Sequence, residues 1–417
     1  MMNETRITLR NVGKINPTSA QDYVAVGGYE ALKKALSAPD TIIDIVKESG
    51  LRGCGGAGFP VGLKWGLVKA VAADVKYLVC NADEGEPGTN KDRIIMSGDP
   101  FSIIEGMTIA AVAIGIEKGF IYLRAEYPYI VEILGKALAD ARSNNYLGEN
   151  ILGKGVDFDI EIRIGAGAYV CGDETALLES IEGKRGEPRF KPPYPGEKGL
   201  WGKPTLINNV ESYANIPYIV AKGVLEFRRY GTEKHPGTRL FTLSGNITKP
   251  GVYEFPNGTL LSDIFAFAGG CLGGKKLLAV QTGGASGAII RGDMIDIPMD
   301  IESCAAAGAV FGAGDLMFVD EDQNIIDLCE NLMEFFVEES CGKCTPCREG
   351  NKRLLQLVEK IKEGKGTGAD IDLINELGET MMITSLCGLG QASPTPLVTA
   401  VKNFRDTFDK AIERGQN

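Results

Sequence analysis

The stretch ESCGKCTPCREG, Glu339 to Gly350, sets Cys341, Cys344 and Cys347 at three-residue steps. A disulfide pairs thiols two at a time, and three at this spacing leave one spare in a tight, strained loop. An inorganic partner is the better reading. Zinc sites usually space their ligands as two separated pairs, whereas C-x2-C-x2-C wraps three corners of an iron–sulfur cube, so the spacing favours a [4Fe–4S] cluster over zinc. A fourth ligand has to come from elsewhere in the chain. Cys387, in SLCGLG after a helical stretch and beside glycines that allow close backbone approach, is the stronger candidate. Cys329, in IIDLCENLMEFF, competes, but its helical surroundings suit a buried structural thiol. Cys54, Cys80, Cys171, Cys271 and Cys304 stand singly and read as packing residues.

Two glycine-rich loops could hold a phosphorylated ligand. LRGCGGAGFPVGLKW contains G-x-G-x-x-G at Gly53, Gly55 and Gly58, but a Rossmann fingerprint needs a strand before it and a helix after it. Here DTIIDIVKESG reads as a helix and Pro60 interrupts the segment beyond the glycines, so the loop reads as exposed backbone for a flat or phosphorylated ligand, with Lys64 as its cation. The second loop, GAGAYVCGDETALLESIEGKRG, runs from a strand into a helix opened by Asp173 and closed by Gly183, and free amides at such a start favour anions. Between the loops CNADEGEPG gathers Asn81, Asp83, Glu84 and Glu86, which read either as a solvated turn or as carboxylates for ribose hydroxyls. After the second loop come Lys184, Arg185, Arg189, Lys191 and Lys198 interleaved with Phe190 and Tyr194, a set suited to a pyrophosphate and a stacked base. Asn208 and Asn209 suit the edge of a ring such as flavin, although asparagine is also a common turn and cap residue.

The elements that position these loops can be read from periodicity. About the first two hundred residues alternate short apolar runs with helical stretches, an α/β pattern with ligand loops at strand ends. After the polar stretch RRYGTEKHPGTR, two strands joined by a turn, a helix and further strands predict a small β-grasp unit. From about Ile325, four segments with apolar residues at three- and four-residue steps predict a four-helix bundle. The expected domains are 1–230, 231–322 and 323–417. His235, the single histidine, reads as an exposed linker residue, which leaves little room for histidine-based acid–base chemistry. A net charge of −11 argues against nucleic acid or an anionic membrane as the main partner. With no apolar leader and no apolar run of spanning length, the chain is expected to be cytoplasmic, without membrane insertion.

In order, GCGGAGFPVGLKW, CNADEGEPGTNKDR, GAGAYVCGDETALLESIEGKRGEPR, KPPYPGEKGLWGKPTLINNVES and ESCGKCTPCREG with SLCGLG resemble the NADH-binding flavoprotein subunit of respiratory complex I. The same module resembles the diaphorase subunit of NAD-linked hydrogenases and formate dehydrogenases, and the resemblance covers nearly the whole chain. It implies a multidomain α/β protein: a modified Rossmann-like flavin domain, a β-grasp (SLBB-like) domain and a helical [4Fe–4S] domain. It also implies FMN and NAD(H). By position, Gly53, Gly55, Gly56, Lys64, Asn81, Asp83, Gly172, Ile207, Asn208 and Asn209 are expected to hold FMN, with Tyr169 close by. Phe59, Glu84, Glu86, Glu174, Lys191 and Tyr194 are expected to face NADH, with Glu84 and Glu174 as the catalytic carboxylates. Cys341, Cys344, Cys347 and Cys387 are the implied cluster ligands.

Four departures mark this chain within the resemblance. Cys54 stands where arginine is usual, which removes a cation near the flavin phosphate; Asp173 replaces glutamate, and Tyr194 replaces phenylalanine. Gly85 stands where complex I commonly has serine, which tilts the reading toward a soluble hydrogenase or formate dehydrogenase over a membrane complex I. A flavin-free scaffold subunit is the contrasting alternative. No cysteine precedes Cys54, so no additional cluster domain is expected, and electrons are expected to leave to a thioredoxin-like [2Fe–2S] subunit and a larger cluster-bearing catalytic subunit.

Overall fold

The computed structural model describes residues 3–416. A first sheet contains β1 (Tyr77–Ala82), β2 (Lys118–Leu123), β3 (Asp159–Ile164) and β4 (Thr205–Asn209) in the order β3-β2-β1-β4, all parallel. Strands covered by helices on both faces need no polar alternation, which is why FIYL in β2 is continuously buried. The helix Pro100–Ile114 is apolar all round and buried nearly throughout. Its neighbour Val210–Lys222 crosses it at Gly106, where an added Cβ would come 2.1 Å from the Tyr213 carbonyl oxygen. Since β2 and β3 follow β1 on one side and β4 returns on the other, the sheet's switch point lies between the carboxyl ends of β1 and β4. Ligands of open parallel sheets bind at such a crevice.

The second sheet holds β5 (Thr238–Gly245), β6 (Gly251–Pro256), β7 (Leu277–Thr282), β8 (Ala288–Arg291) and β9 (Asp315–Asp320), in the order β6-β5-β9-β7-β8. Its parallel β5/β9 pair between two antiparallel hairpins, with the helix Leu261–Phe267 between β6 and β7, is the expected β-grasp arrangement.

His235 overturns its sequence reading: it is 2% exposed, with its ring 5.2 Å from Phe311. Burial pushes its pKa down to about 3, so it is neutral. The reason is tertiary, since the polar segment folds back on itself through Thr232 N–H to the His235 carbonyl and lies against the start of the second sheet.

The carboxyl-terminal region is helical, with one difference from the expected four helices. Among the described residues the fourth predicted segment is two helices, Thr395–Asn403 and Arg405–Gln416, broken at Phe404, and a short helix Gly388–Ala392 follows Cys387. The break serves two docking demands. Thr399 Oγ1 accepts from Ile289 N–H at 2.9 Å and Asn403 donates to the Ile289 carbonyl at 2.8 Å, covering the edge of β8. The second half turns back to bury Phe408 in the helical core.

Candidate functional site

At the switch point, the first glycine loop is closed as a small hairpin by Gly53 N–H to the Phe59 carbonyl (2.9 Å) and Val61 N–H to the Leu51 carbonyl (3.0 Å). Gly56 sits at φ +111° and Gly58 at +64°, backbone that side chains rarely adopt. Gly55, Gly56 and Ala57 are exposed, while the loop's carbonyls turn inward to a residue that sequence reasoning missed. Arg239, on β5 and 2% exposed, donates to the carbonyls of Cys54 (3.0 Å) and Gly312 (2.9 Å) and reaches that of Gly53 (3.5 Å). Cys54 itself is buried, and desolvation raises its thiol pKa to about 11. A buried guanidinium therefore lies directly behind the loop in which the resemblance expects arginine. No local signal could have found it, because it enters from 185 residues away.

Asn81, near the end of β1, donates to the Gly172 carbonyl at 2.9 Å and accepts from Asp83 N–H at 3.1 Å. Asp83 Oδ2 is buried without a partner among the described residues, and burial lifts this carboxyl to about pH 7 against the opposing charge of Arg124. Lys64 Nζ donates to the Ile207 carbonyl at 3.1 Å and stands 3.4 Å from Glu174, which also pairs with Lys191 at 3.2 Å. Asp173 caps the following helix by accepting from the amides of Thr175 and Ala176. Asn208 accepts from Trp65 Nε1–H at 3.0 Å. Asn209 caps its own helix and donates to Asp92 at 2.6 Å, and its Cβ comes within 3.2 Å of a Cβ placed on Gly55. An exposed glycine loop, a lysine and an orphaned buried carboxylate oxygen fit the phosphate and polyol chain of FMN. Phe59, on the glycine loop, and Tyr194 are exposed, 43% and 57%.

Of the carboxylates of CNADEGEPG, Glu84 is buried and Asp83 and Glu86 are half-buried, in place of forming a solvated turn. Glu84 accepts from the amides of Asp92 (2.8 Å) and Arg93 (3.1 Å) and from Tyr127 (3.1 Å), so it caps the helix Lys91–Gly98. Burial, then the charge of Asp92, pushes it to about 8. Glu86 accepts from Tyr169 Oη–H at 2.5 Å and from the amide and hydroxyl of Ser286 at 2.9 and 3.1 Å. Glu174, from the second glycine segment, has its side chain 25% exposed.

Cys341, Cys344, Cys347 and Cys387 line one cavity together with Val170, Pro188 and Leu389, and Cys329 is buried elsewhere in the helix Ile325–Glu339. Among the described residues no three His, Cys, Asp or Glu side chains converge on a point that could hold a single metal ion. Four thiols lining one cavity fit the cluster that their spacing suggests. Cys344 and Cys387 each occupy the amino-terminal cap of a helix, and burial pushes the Cys387 thiol up to about 11. Arg185 donates to the Cys341 carbonyl and Lys343 to the Pro188 carbonyl, both at 2.7 Å, so the second glycine segment is pinned to the cysteine loop.

One short turn joins the two halves of the site. In Tyr169–Gly172, Val170 lines the thiol cavity while the Gly172 carbonyl is held by Asn81 at the crevice.

Residues 46–218 match the family model of the Nuo51 FMN-binding domain. Residues 240–288 match the SLBB domain, and 327–411 match the NADH-ubiquinone oxidoreductase-F iron–sulfur binding region. The chain is 48% identical to HndC, a subunit of the NADP-reducing hydrogenase of Solidesulfovibrio fructosivorans, over 98% of this chain and 84% of that one. It is 46% identical to the F 2 subunit of the NADH-quinone oxidoreductase of Rhizobium meliloti, over 98% and 97%. Among solved structures, an NAD+-reducing [NiFe]-hydrogenase in the H2-reduced state matches with a TM-score of 0.87 at 35% identity, covering 98% of this chain and 67% of that chain.

Proposed function

Since the chain belongs to the family of NADH-oxidising flavoprotein subunits that carry FMN and a 4Fe-4S cluster, we propose that its crevice and thiol cavity form one electron route through the turn Tyr169–Gly172. The protein is an oxidoreductase, and its relatives are subunits of larger enzymes. When bound, FMN would supply the hydride-accepting, single-electron-donating chemistry that links NADH to the cluster. This chain's residues align and enclose. The glycine loop and Lys64 hold the flavin phosphate; Asn81, Asp83, Gly172, Ile207, Asn208 and Asn209 surround the rest of FMN. Phe59 and Tyr194 stack on the nucleotide, and Glu174 between Lys64 and Lys191 orients its polar groups. Glu84 and Glu86 act one step back, the first by bracing the helix after the loop and the second by fixing Tyr169. Cys341, Cys344, Cys347 and Cys387 hold the cluster.

The observation that carries this reading is the placement of Val170 and Gly172, two residues apart, at the thiol cavity and the flavin crevice. It supports direct transfer without a further carrier in this chain.

The proposed setting is a soluble NAD-linked hydrogenase or formate dehydrogenase. A thioredoxin-like [2Fe–2S] subunit and a larger cluster-bearing catalytic subunit would take the electrons. No described helix is long and apolar enough to cross a membrane. The near full-length match to a quinone oxidoreductase chain, 97% of its length, favours entry to a membrane complex I as the second reading.

Anaerobic purification of the natural complex tests both, with co-purifying subunits identified by mass and NADH-dependent viologen reduction assayed. A hydrogenase or formate dehydrogenase subunit with activity supports the first, and quinone-reductase subunits support the second. A flavin-free, inactive complex would overturn both. NADH is expected to outrun NADPH in the same assay, and equal rates would sink that preference.

A further inference from the structure

Cys347 differs from the other three cavity thiols: among the described residues it is the one that meets side-chain hydrogen-bond donors. Ser340 Oγ lies 3.3 Å from Cys347 Sγ and itself accepts from Gly342 N–H at 3.3 Å, which leaves its own hydrogen free to point at sulfur. Asn351, one turn along the helix Thr345–Lys362 and fully buried, brings Nδ2 to 3.3 Å from the same sulfur. Its Oδ1 has no partner among the described residues. Burying an amide with an unpaired oxygen is costly, so an apolar residue would fill this space better if filling were all that mattered. A thiolate on iron has no hydrogen to give. Both groups can therefore only donate, which also fixes the amide with its nitrogen toward sulfur.

We propose that Asn351 and Ser340 set the reduction potential of the 4Fe-4S cluster by donating hydrogen bonds to Cys347 Sγ. The inference rests on the reading of Cys347 as a cluster ligand and adds two positioning residues to it. In the step concerned, one electron leaves the reduced flavin and one is gained by the cluster, with no bond to these side chains made or broken. The added negative charge is shared by the coordinating sulfurs, and donors to a sulfur stabilise it. Together they raise the potential and favour flow from flavin to cluster. Their placement beside Cys347 alone makes the effect one-sided, on the corner that lies deepest in the helical region.

The test is an EPR-monitored redox titration of the anaerobic holoprotein, with the flavin midpoint read in the same sample. Asn351→Leu and Ser340→Ala are each expected to lower the cluster midpoint by about tenfold in the one-electron equilibrium, about 59 mV. Asn351→Gln, which keeps a donor, is expected to lower it less, and the flavin midpoint is expected to stay. Ser340→Ala removes a single oxygen and decides the matter if Asn351→Leu does not fold. An unchanged cluster midpoint in a fully loaded variant overturns the proposal. A Cys347→Ser protein that keeps the wild-type cluster signal would instead overturn the ligand assignment beneath it.

Discussion

The Asn81 side chain donates to the Gly172 carbonyl over 2.9 Å, tying the end of β1 to the turn whose Val170 lines the thiol cavity. That bond links the end of the crevice strand to the wall of the thiol cavity. Asn81→Leu leaves the carbonyl unpaired, at a cost of about 1–2 kcal/mol. Anaerobic stopped-flow mixing with NADH should then show flavin bleaching with slowed cluster reduction. Wild-type rates in both bands would count against the coupling.

The fourth thiol can be settled by chemical analysis. Cys387 shares the cavity and Cys329 does not. Cys387→Ala is expected to lose cluster iron and sulfide and the broad visible absorption, while Cys329→Ala keeps both. The reverse pattern would move the ligand.

Arg239 holds three carbonyls from two parts of the chain and stands 3.9 Å from Glu211, itself paired with Lys91 at 2.9 Å. Breaking a buried ion network is expensive, about 3 kcal/mol. Arg239→Met should lower the melting temperature and release FMN on dilution, seen as a rise in flavin fluorescence. Arg239→Lys keeps the charge but lacks the planar fork, so FMN retention should fall between the two. Tight FMN in Arg239→Met would show that the loop holds its shape unaided.

Asp315, at the start of β9, is buried with neither carboxylate oxygen hydrogen-bonded among the described residues. Thr89, Glu86, Lys91 and Arg239 face it, and burial lifts its pKa to about 7. The folded form therefore keeps its proton after the unfolded chain has lost it, so this group's contribution falls as pH rises from about 4 to about 7 and stays lost above. Asp315→Asn should accordingly stabilise the protein more at pH 8 than at pH 5, by an amount on the order of 2 kcal/mol. Thermal melts at the two pH values check it, and a pH-independent difference would refute the assigned titration.

Much of the molecule was legible in local pattern. The cysteine steps, the glycine loops and the strand and helix periods depend on residues close in sequence, and those features reappear at a shared cavity, at the switch point and in the expected sheets. The helix at Asp173 was readable because a cap is a contact within three residues. The break at Phe404 was not, since Thr395–Asn403 and Arg405–Gln416 carry continuous helical spacing and divide to meet two different surfaces.

By itself the sequence indicated the chemistry available: three closely spaced cysteines suited to a cluster with a fourth to be found, glycine loops and a lysine suited to a phosphorylated flavin, aromatic residues suited to a base, and a single histidine. Tertiary structure decided how each group is used. It buried His235, set Glu84 to brace a helix and Glu86 to fix Tyr169, brought Arg239 behind a loop 185 residues away, and aimed Asn351 at one sulfur. The physical reason is range. Backbone propensity and ligand spacing act over a few residues, whereas desolvation and hydrogen-bond partnership depend on which distant segments packing brings together.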